Sequence, residues 1–170
     1  MQENTRVSLL ECPGSQSFEI QDIGAIVAAA KKHNISTIID NTWATPLFFR
    51  AHELGIDLSV EAGTKYLSGH SDLLMGLVSA NASHWPALRE AYDAMAMLPG
   101  AEDCFLALRG LRTMHLRVKE AEIRGLEMAH WLKSQPKVSR VLHPAFEECA
   151  GHDNWKKYFT GSTGLFSIVL

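Results

Sequence analysis

The sequence predicts an α/β fold on a mostly parallel sheet, followed by the start of a second, smaller α/β unit. Three observations carry that prediction. Aliphatic runs recur as "RVSLLEC", "STIIDN" and "IDLSVEAG", with a capped amphipathic segment between the first two. Those runs are continuous rather than alternating, the pattern of parallel strands covered on both faces. After Ser83 the texture turns helical, with a break near Gly110 and two short strand-like runs beyond it.

Each element has a local reason. "RVSLLEC" is aliphatic and stops at the turn signal "PGS", so a strand enters a loop. Asp22 is placed to cap "IGAIVAAAKKHN", where Ile23, Ile26, Val27 and Ala30 share one helical face, lysines occupy the last turn and Asn34 stands at the stop; this predicts a helix of about three turns. "STIIDN" and "IDLSVEAG" are the second and third strands, and "LLMGLVSA" reads as another buried one. "SHWPALREAYDAMAML" is helical after a cap. The long pattern from Ala101 to Gln135 is helical and broken near Gly110, "KVSRVLHP" reads as an edge strand, and "STGLFSIVL" reads as its neighbour. Strands at both extremes of the chain imply sheet neighbours that these residues do not supply, so the sequence reads as a piece of a larger protein.

Composition narrows the function classes. A chain of 170 residues with 46% hydrophobic and 21% charged residues is a globular mixture, and a net charge of -3 without a basic run leaves no footprint for nucleic acid or an anionic membrane. No stretch has the length of a membrane span and the first residues lack a secretory pattern, so the expected setting is cytoplasmic and the expected partner a small molecule. Cys12, Cys104 and Cys149 are too scattered for a disulfide framework or a CxxC metal site and read as packing residues.

The chemistry centres on "EAGTKYLSGHSD", Glu61 to Asp72. Enclosure of Lys65 would depress its pKa from the free value of about 10.4 and leave an amine able to form Schiff bases with carbonyls. Asp40 ends a neighbouring strand, and in parallel sheets functional groups gather beyond the carboxyl ends of strands; Glu11, Asp40 and the Thr64-Lys65 pair all fall there. A buried carboxylate needs a cationic or hydrogen-bonding partner. A pyridinium nitrogen would serve for Asp40, and so would capping of the Asn41-Thr42 loop. "GHSD" also suggests a Ser-His-Asp hydrolase or a metal site, but adjacent loop residues rarely converge on one atom and no GxSxG elbow is present. His70 and Asp72 read better as residues that orient the lysine segment. Trp43, Phe48 and Phe49 read as packing rather than substrate contacts.

"DLSVEAGTKYLSGHS" and "IIDNTWATPLFF" closely resemble the lysine and aspartate segments of the Cys/Met metabolism family of pyridoxal phosphate enzymes. The likeness extends through "LLECPGSQSFEIQD", "AMLPGAEDCFLALRGLRT" and "FTGSTGLFSIVL", hence along essentially the whole chain. It implies the fold type I architecture of pyridoxal phosphate-dependent transferases, with residues 1–110 as the C-terminal part of the cofactor-binding major domain and 111–170 as a truncated beginning of the C-terminal domain. It implies that Lys65 holds the aldehyde carbon of pyridoxal 5'-phosphate as a Schiff base and is the catalytic base. It implies that Asp40 bonds the pyridinium nitrogen and that the Thr64 hydroxyl helps hold the phosphate.

Trp43 in "DNTW", Ser15 where γ-synthases and γ-lyases tend to carry Asn, and Ala62 where many carry Ser resemble the β-lyase branch. The implied activity is a carbon-sulfur lyase reaction on an amino-acid thioether: β-elimination of cystathionine to homocysteine, pyruvate and ammonia, in methionine biosynthesis. A γ-synthase, γ-lyase or sulfhydrylase is the runner-up. Full-length members are homo-oligomers, tetramers built from dimers. The family's glycine-containing phosphate loop, ring-stacking tyrosine and substrate-carboxylate arginine find no counterpart in these residues, so a catalytically inactive fragment is the alternative of another class.

Overall fold

The computed structural model describes residues 2–170. Four strands, β1 (Val7–Glu11), β2 (Ser36–Asp40), β3 (Leu58–Ala62) and β4 (Gly76–Ala80), form one sheet in that order. The first three are parallel and β4 is antiparallel to β3. Between β1 and β2 runs α1 (Ile23–Lys32), and between β2 and β3 lie a short helix, α2 (Thr45–Phe48), and a 3-10 turn at Ala51–Leu54. Helices α3 (Trp85–Met95), α4 (Ala101–Leu111) and α5 (Met114–Lys133) follow, then β5 (Arg140–Leu142), α6 (His152–Tyr158) and β6 (Ser167–Val169). β5 and β6 pair antiparallel as a separate two-stranded sheet.

Local chemistry sets these bounds. The Asp22 carboxylate accepts the Ala25 N–H at 3.1 Å and caps α1. At the other end Asn34 takes φ 52°, and the Ile35 N–H reaches back to the Ala30 carbonyl; a left-handed residue just past the helix is how such carbonyls are satisfied. Ile23, Val27 and Ala30 are buried, on the face expected. The break between α4 and α5 falls at Arg112 and Thr113, two residues beyond Gly110.

Asp57, just before β3, ties the amino ends of β2 and β3 to the carboxyl end of β4. Its carboxylate accepts the Thr37 N–H at 2.8 Å, the Thr37 hydroxyl at 3.0 Å and the Asn81 side-chain N–H at 2.9 Å. Burial opposes its charge, but those bonds and the nearby His84 outweigh it and hold the carboxyl below its ordinary value.

Two expectations need correction. The sheet is covered on one face only: Leu10, Ile39 and Ser59 are buried on it, whereas Leu9 is 73% exposed and Val7 and Val78 also stand open on the other. No element among the described residues packs on that second side, because α1 and the 3-10 turn both lie on the first. For the same reason β4 is an exposed edge strand and not a buried one. The aromatic cluster packs as expected, with Trp43, Phe48 and Phe49 buried and Phe49 stacked on Phe159 at 4.7 Å between ring centroids.

Candidate cofactor site at the carboxyl edge of the sheet

Register brings the predicted residues to one edge. Glu11 pairs with Asp40, and Asp40 with Val60, so the carboxyl ends of β1, β2 and β3 stand level. β3 ends at Ala62, and the chain turns at once through Gly63–Gly69, which carries Lys65. Asp40 and Lys65 therefore sit at the tips of neighbouring parallel strands.

The acid is half-buried, and its Oδ1 accepts the Thr42 N–H at 2.9 Å. The loop-capping role is thus real, and it leaves Oδ2 without a hydrogen bond among the described residues. Thr42 in turn accepts the Ala62 N–H at 2.8 Å, and the Asn41 N–H reaches the Val60 carbonyl at 2.8 Å, so the loop after β2 is stitched to the end of β3. Two residues beyond Trp43, the β-branched and buried Thr45 is held at φ 57°. A left-handed conformation costs such a residue of order 1–3 kcal/mol, and strain of this kind gathers at functional edges.

Lys65 is exposed, which corrects the expectation of an enclosed amine. The physical reason is the bare face of the sheet, since nothing among the described residues roofs the carboxyl edge. The turn beneath the lysine is nevertheless well ordered: the Lys65 N–H bonds the Ala62 carbonyl at 3.0 Å, Ser68 N–H the Gly63 carbonyl at 2.9 Å, and Gly69 N–H the Lys65 carbonyl at 2.9 Å. The half-buried Thr64 accepts the Met75 N–H at 3.1 Å, and its own hydroxyl proton meets the Met75 carbonyl only at 3.5 Å, so that proton is loosely held. Asp72 forms an ion pair with Arg109 of α4, an orienting contact rather than a metal or triad geometry. Among the described residues no group of three or more His, Cys, Asp or Glu side chains could hold a metal ion.

One functional candidate escaped the sequence reading. Glu61, on β3, is pushed up to about 7 from an ordinary 4.5, first by burial and second by the charge of Asp40. Its folded pKa is raised above the unfolded value. The stability it contributes is therefore complete below pH 4.5 and is lost as pH rises through about 7. Glu61→Gln removes the charge and keeps the shape. Discounted for partial exposure, it should stabilise the chain by roughly 1–2 kcal/mol at pH 8 and change nothing at pH 4. Urea unfolding at the two pH values checks this.

An acid at the tip of one parallel strand and a lysine turn at the tip of the next fit the class of pyridoxal phosphate-dependent enzymes, and the comparisons show that class. All of residues 1–170 match the family described as Cys/Met metabolism PLP-dependent enzyme. The chain belongs to that family. A Saccharomyces cerevisiae protein provisionally named cystathionine β-lyase is 66% identical over 167 residues, which is 98% of this chain and 49% of that protein. The cystathionine β-lyase of Escherichia coli strain K12 is 44% identical over 172 residues, 100% of this chain and 44% of that one. The crystal structure of cystathionine γ-lyase from Lactobacillus plantarum complexed with L-serine superposes with a TM-score of 0.94 at 29% identity, covering 100% of this chain and 45% of the other. The chain thus spans about half the length of the relatives it matches.

Proposed function

We propose that this chain supplies the Lys65–Asp40 side of a pyridoxal 5'-phosphate site that breaks the Cβ–S bond of an amino-acid thioether, with cystathionine and water yielding homocysteine, pyruvate and ammonia. The observation that carries the reading is the register that sets Asp40 and the lysine turn at adjacent carboxyl ends. The free Oδ2 of Asp40 and the loosely held proton of Thr64 fit a pyridinium nitrogen and a phosphate oxygen. When bound, the cofactor supplies a conjugated ring that accepts the electron pair left at the substrate α-carbon. Asp40 keeps a proton on the ring nitrogen, which makes the ring a better acceptor. The Lys65 amine removes the α-proton, and its flexible four-carbon stem lets it carry that proton to the departing sulfur.

Ser15, Trp43 and Ala62 support β- over γ-elimination. Products identify the bond broken in the protein that carries this sequence: pyruvate and homocysteine support the reading, and α-ketobutyrate and cysteine move it to γ-elimination. The site assignment is tested on the chain itself. After incubation with pyridoxal phosphate and borohydride, peptide mapping should place the fixed cofactor on Lys65 at least tenfold above Lys31, Lys119 or Lys137. Lys65→Ala should remove that label, and Asp40→Asn should weaken it. Equal labelling of all these lysines would assign the chain to the non-catalytic alternative.

A further inference from the structure

The geometry points to Arg117 of α5 as a positioning residue for Lys65, acting through the carbonyls of the lysine turn; this rests on the reading of Lys65 given above. Within the lysine turn, three carbonyls are satisfied locally and two more are taken by a side chain of α5. Gly63, Thr64 and Lys65 have theirs taken by the Ser68 N–H, the Ser68 hydroxyl and the Gly69 N–H. Tyr66 and Leu67, the two residues after the lysine, point their oxygens toward α5. The half-buried Arg117 donates from Nη1 to the Tyr66 carbonyl at 2.7 Å, and from Nη2 to the Leu67 carbonyl at 3.1 Å and the Gly110 carbonyl at 2.7 Å. Its Nε is oriented by the Thr113 hydroxyl at 3.2 Å.

A planar guanidinium meets the three carbonyls from two nitrogens held in a rigid fork, a spread that the single nitrogen of an ammonium or an amide does not match, and charged donors make these bonds about twice as strong as neutral ones. Two features show that the fit is built rather than incidental. At Gly69 the chain takes φ 70°, and a side chain there would run into Arg117. On the other flank Gly110 lets α4 lie against the Leu67 and Ser68 carbonyls. The lysine turn is thus held between the two helices, with the guanidinium closing the gap. The Lys65 backbone is fixed while its side chain stays free to move, which suits an amine that must leave and return to one carbon.

The test uses the full chain and two readouts. Endoproteinase Lys-C cleavage after Lys65 reports how firmly the turn is held and needs no cofactor. The share of borohydride-fixed pyridoxal phosphate on Lys65, followed from pH 6 to 10, reports where the amine is presented. Arg117→Gln should speed cleavage after Lys65 at least tenfold, lower the Lys65 share of the label by a similar factor and flatten its pH profile. Arg117→Lys should restore part of both. Arg124→Gln is the control: on the same helix, Arg124 pairs among the described residues with Glu120 and Glu127 alone, and its loss should leave both readouts within twofold.

Unchanged cleavage and labelling in a folded Arg117→Gln chain would overturn the assignment. Should that variant not fold, Arg117→Lys decides: a tight turn with full labelling overturns the assignment, and partial loss of both upholds it. Faster cleavage together with unselective labelling already in the parent chain would uphold the clamp while sinking the cofactor reading on which its purpose rests.

Discussion

Gly110→Ala is expected to destabilise the chain by about 3 kcal/mol, near the upper end of what overpacking usually costs. A Cβ at that position would stand 2.2 Å from the Leu67 oxygen, 2.4 Å from the Ser68 oxygen and 2.8 Å from the Ser68 Cα. All three are backbone atoms of the lysine turn, so no side chain can rotate away; either α4 or the turn must move. Movement of α4 pulls the Gly110 carbonyl off Arg117, and movement of the turn strains the other two bonds of the same guanidinium. Gly76→Ala is the matched comparison, because a Cβ there meets nothing within 4 Å. It should leave stability unchanged or raise it by up to about 1 kcal/mol through the unfolded chain. Urea midpoints of the two variants, measured side by side, give the answer, and a Gly110→Ala chain as stable as Gly76→Ala would refute the packing argument.

The second large effect is acid sensitivity set by His143. This ring is fully buried among Trp43, Phe146 and Phe166. Its Nδ1 accepts the Ala145 N–H at 3.1 Å, which leaves the proton on Nε2, and Nε2 has no partner among the described residues. Burial, and secondarily the neighbouring His130, pushes it down to about 4 from 6.5. The folded pKa lies below the unfolded one, so the neutral ring is the one the fold accepts. Stability is complete above pH 6.5 and is lost as pH falls toward 4, by on the order of 3 kcal/mol.

Carboxylates such as Asp57, whose folded pKa is lowered, lose their contribution only below their ordinary 3.8 and do not overlap this window. Glu61 does overlap it, with the opposite sign. The comparison is therefore cleanest in a Glu61→Gln background, where unfolding free energy should fall steeply between pH 6.5 and 4. Adding His143→Phe should flatten most of that fall. A slope unchanged by His143→Phe would place the acid sensitivity elsewhere.

What could be read from the sequence was local in origin. Asp22 and Asn34 announce the ends of α1 because caps act within a few residues, and the aliphatic runs announce β1, β2 and β3 because the strand interior needs nothing else. Asp40 and Lys65 were legible as a pair because a parallel sheet sets strand tips level. The direction and exposure of β4 were not, since both depend on which elements happen to cover a sheet face. α6 was missed because seven residues flanked by loops carry no sustained period. Arg117 was silent for a different reason: its two partners in the lysine turn lie about fifty positions away and are carbonyls, which every residue has. Glu61 and His143 owe their chemistry to burial, and a charged or imidazole side chain in a sequence gives no sign of how much water it will keep.

The Asp57 knot has a bearing on fidelity. Side chains on a strand alternate, so a slip of β2 against β3 by a single position would turn Asp40 to the opposite side of the sheet and part it from the lysine turn. Thr37, Asn81 and His84 converge on one carboxylate at the far rim, and that convergence admits one alignment only. The accuracy of the working edge is thus guaranteed from the idle one, as a ruler is aligned by its clamped end.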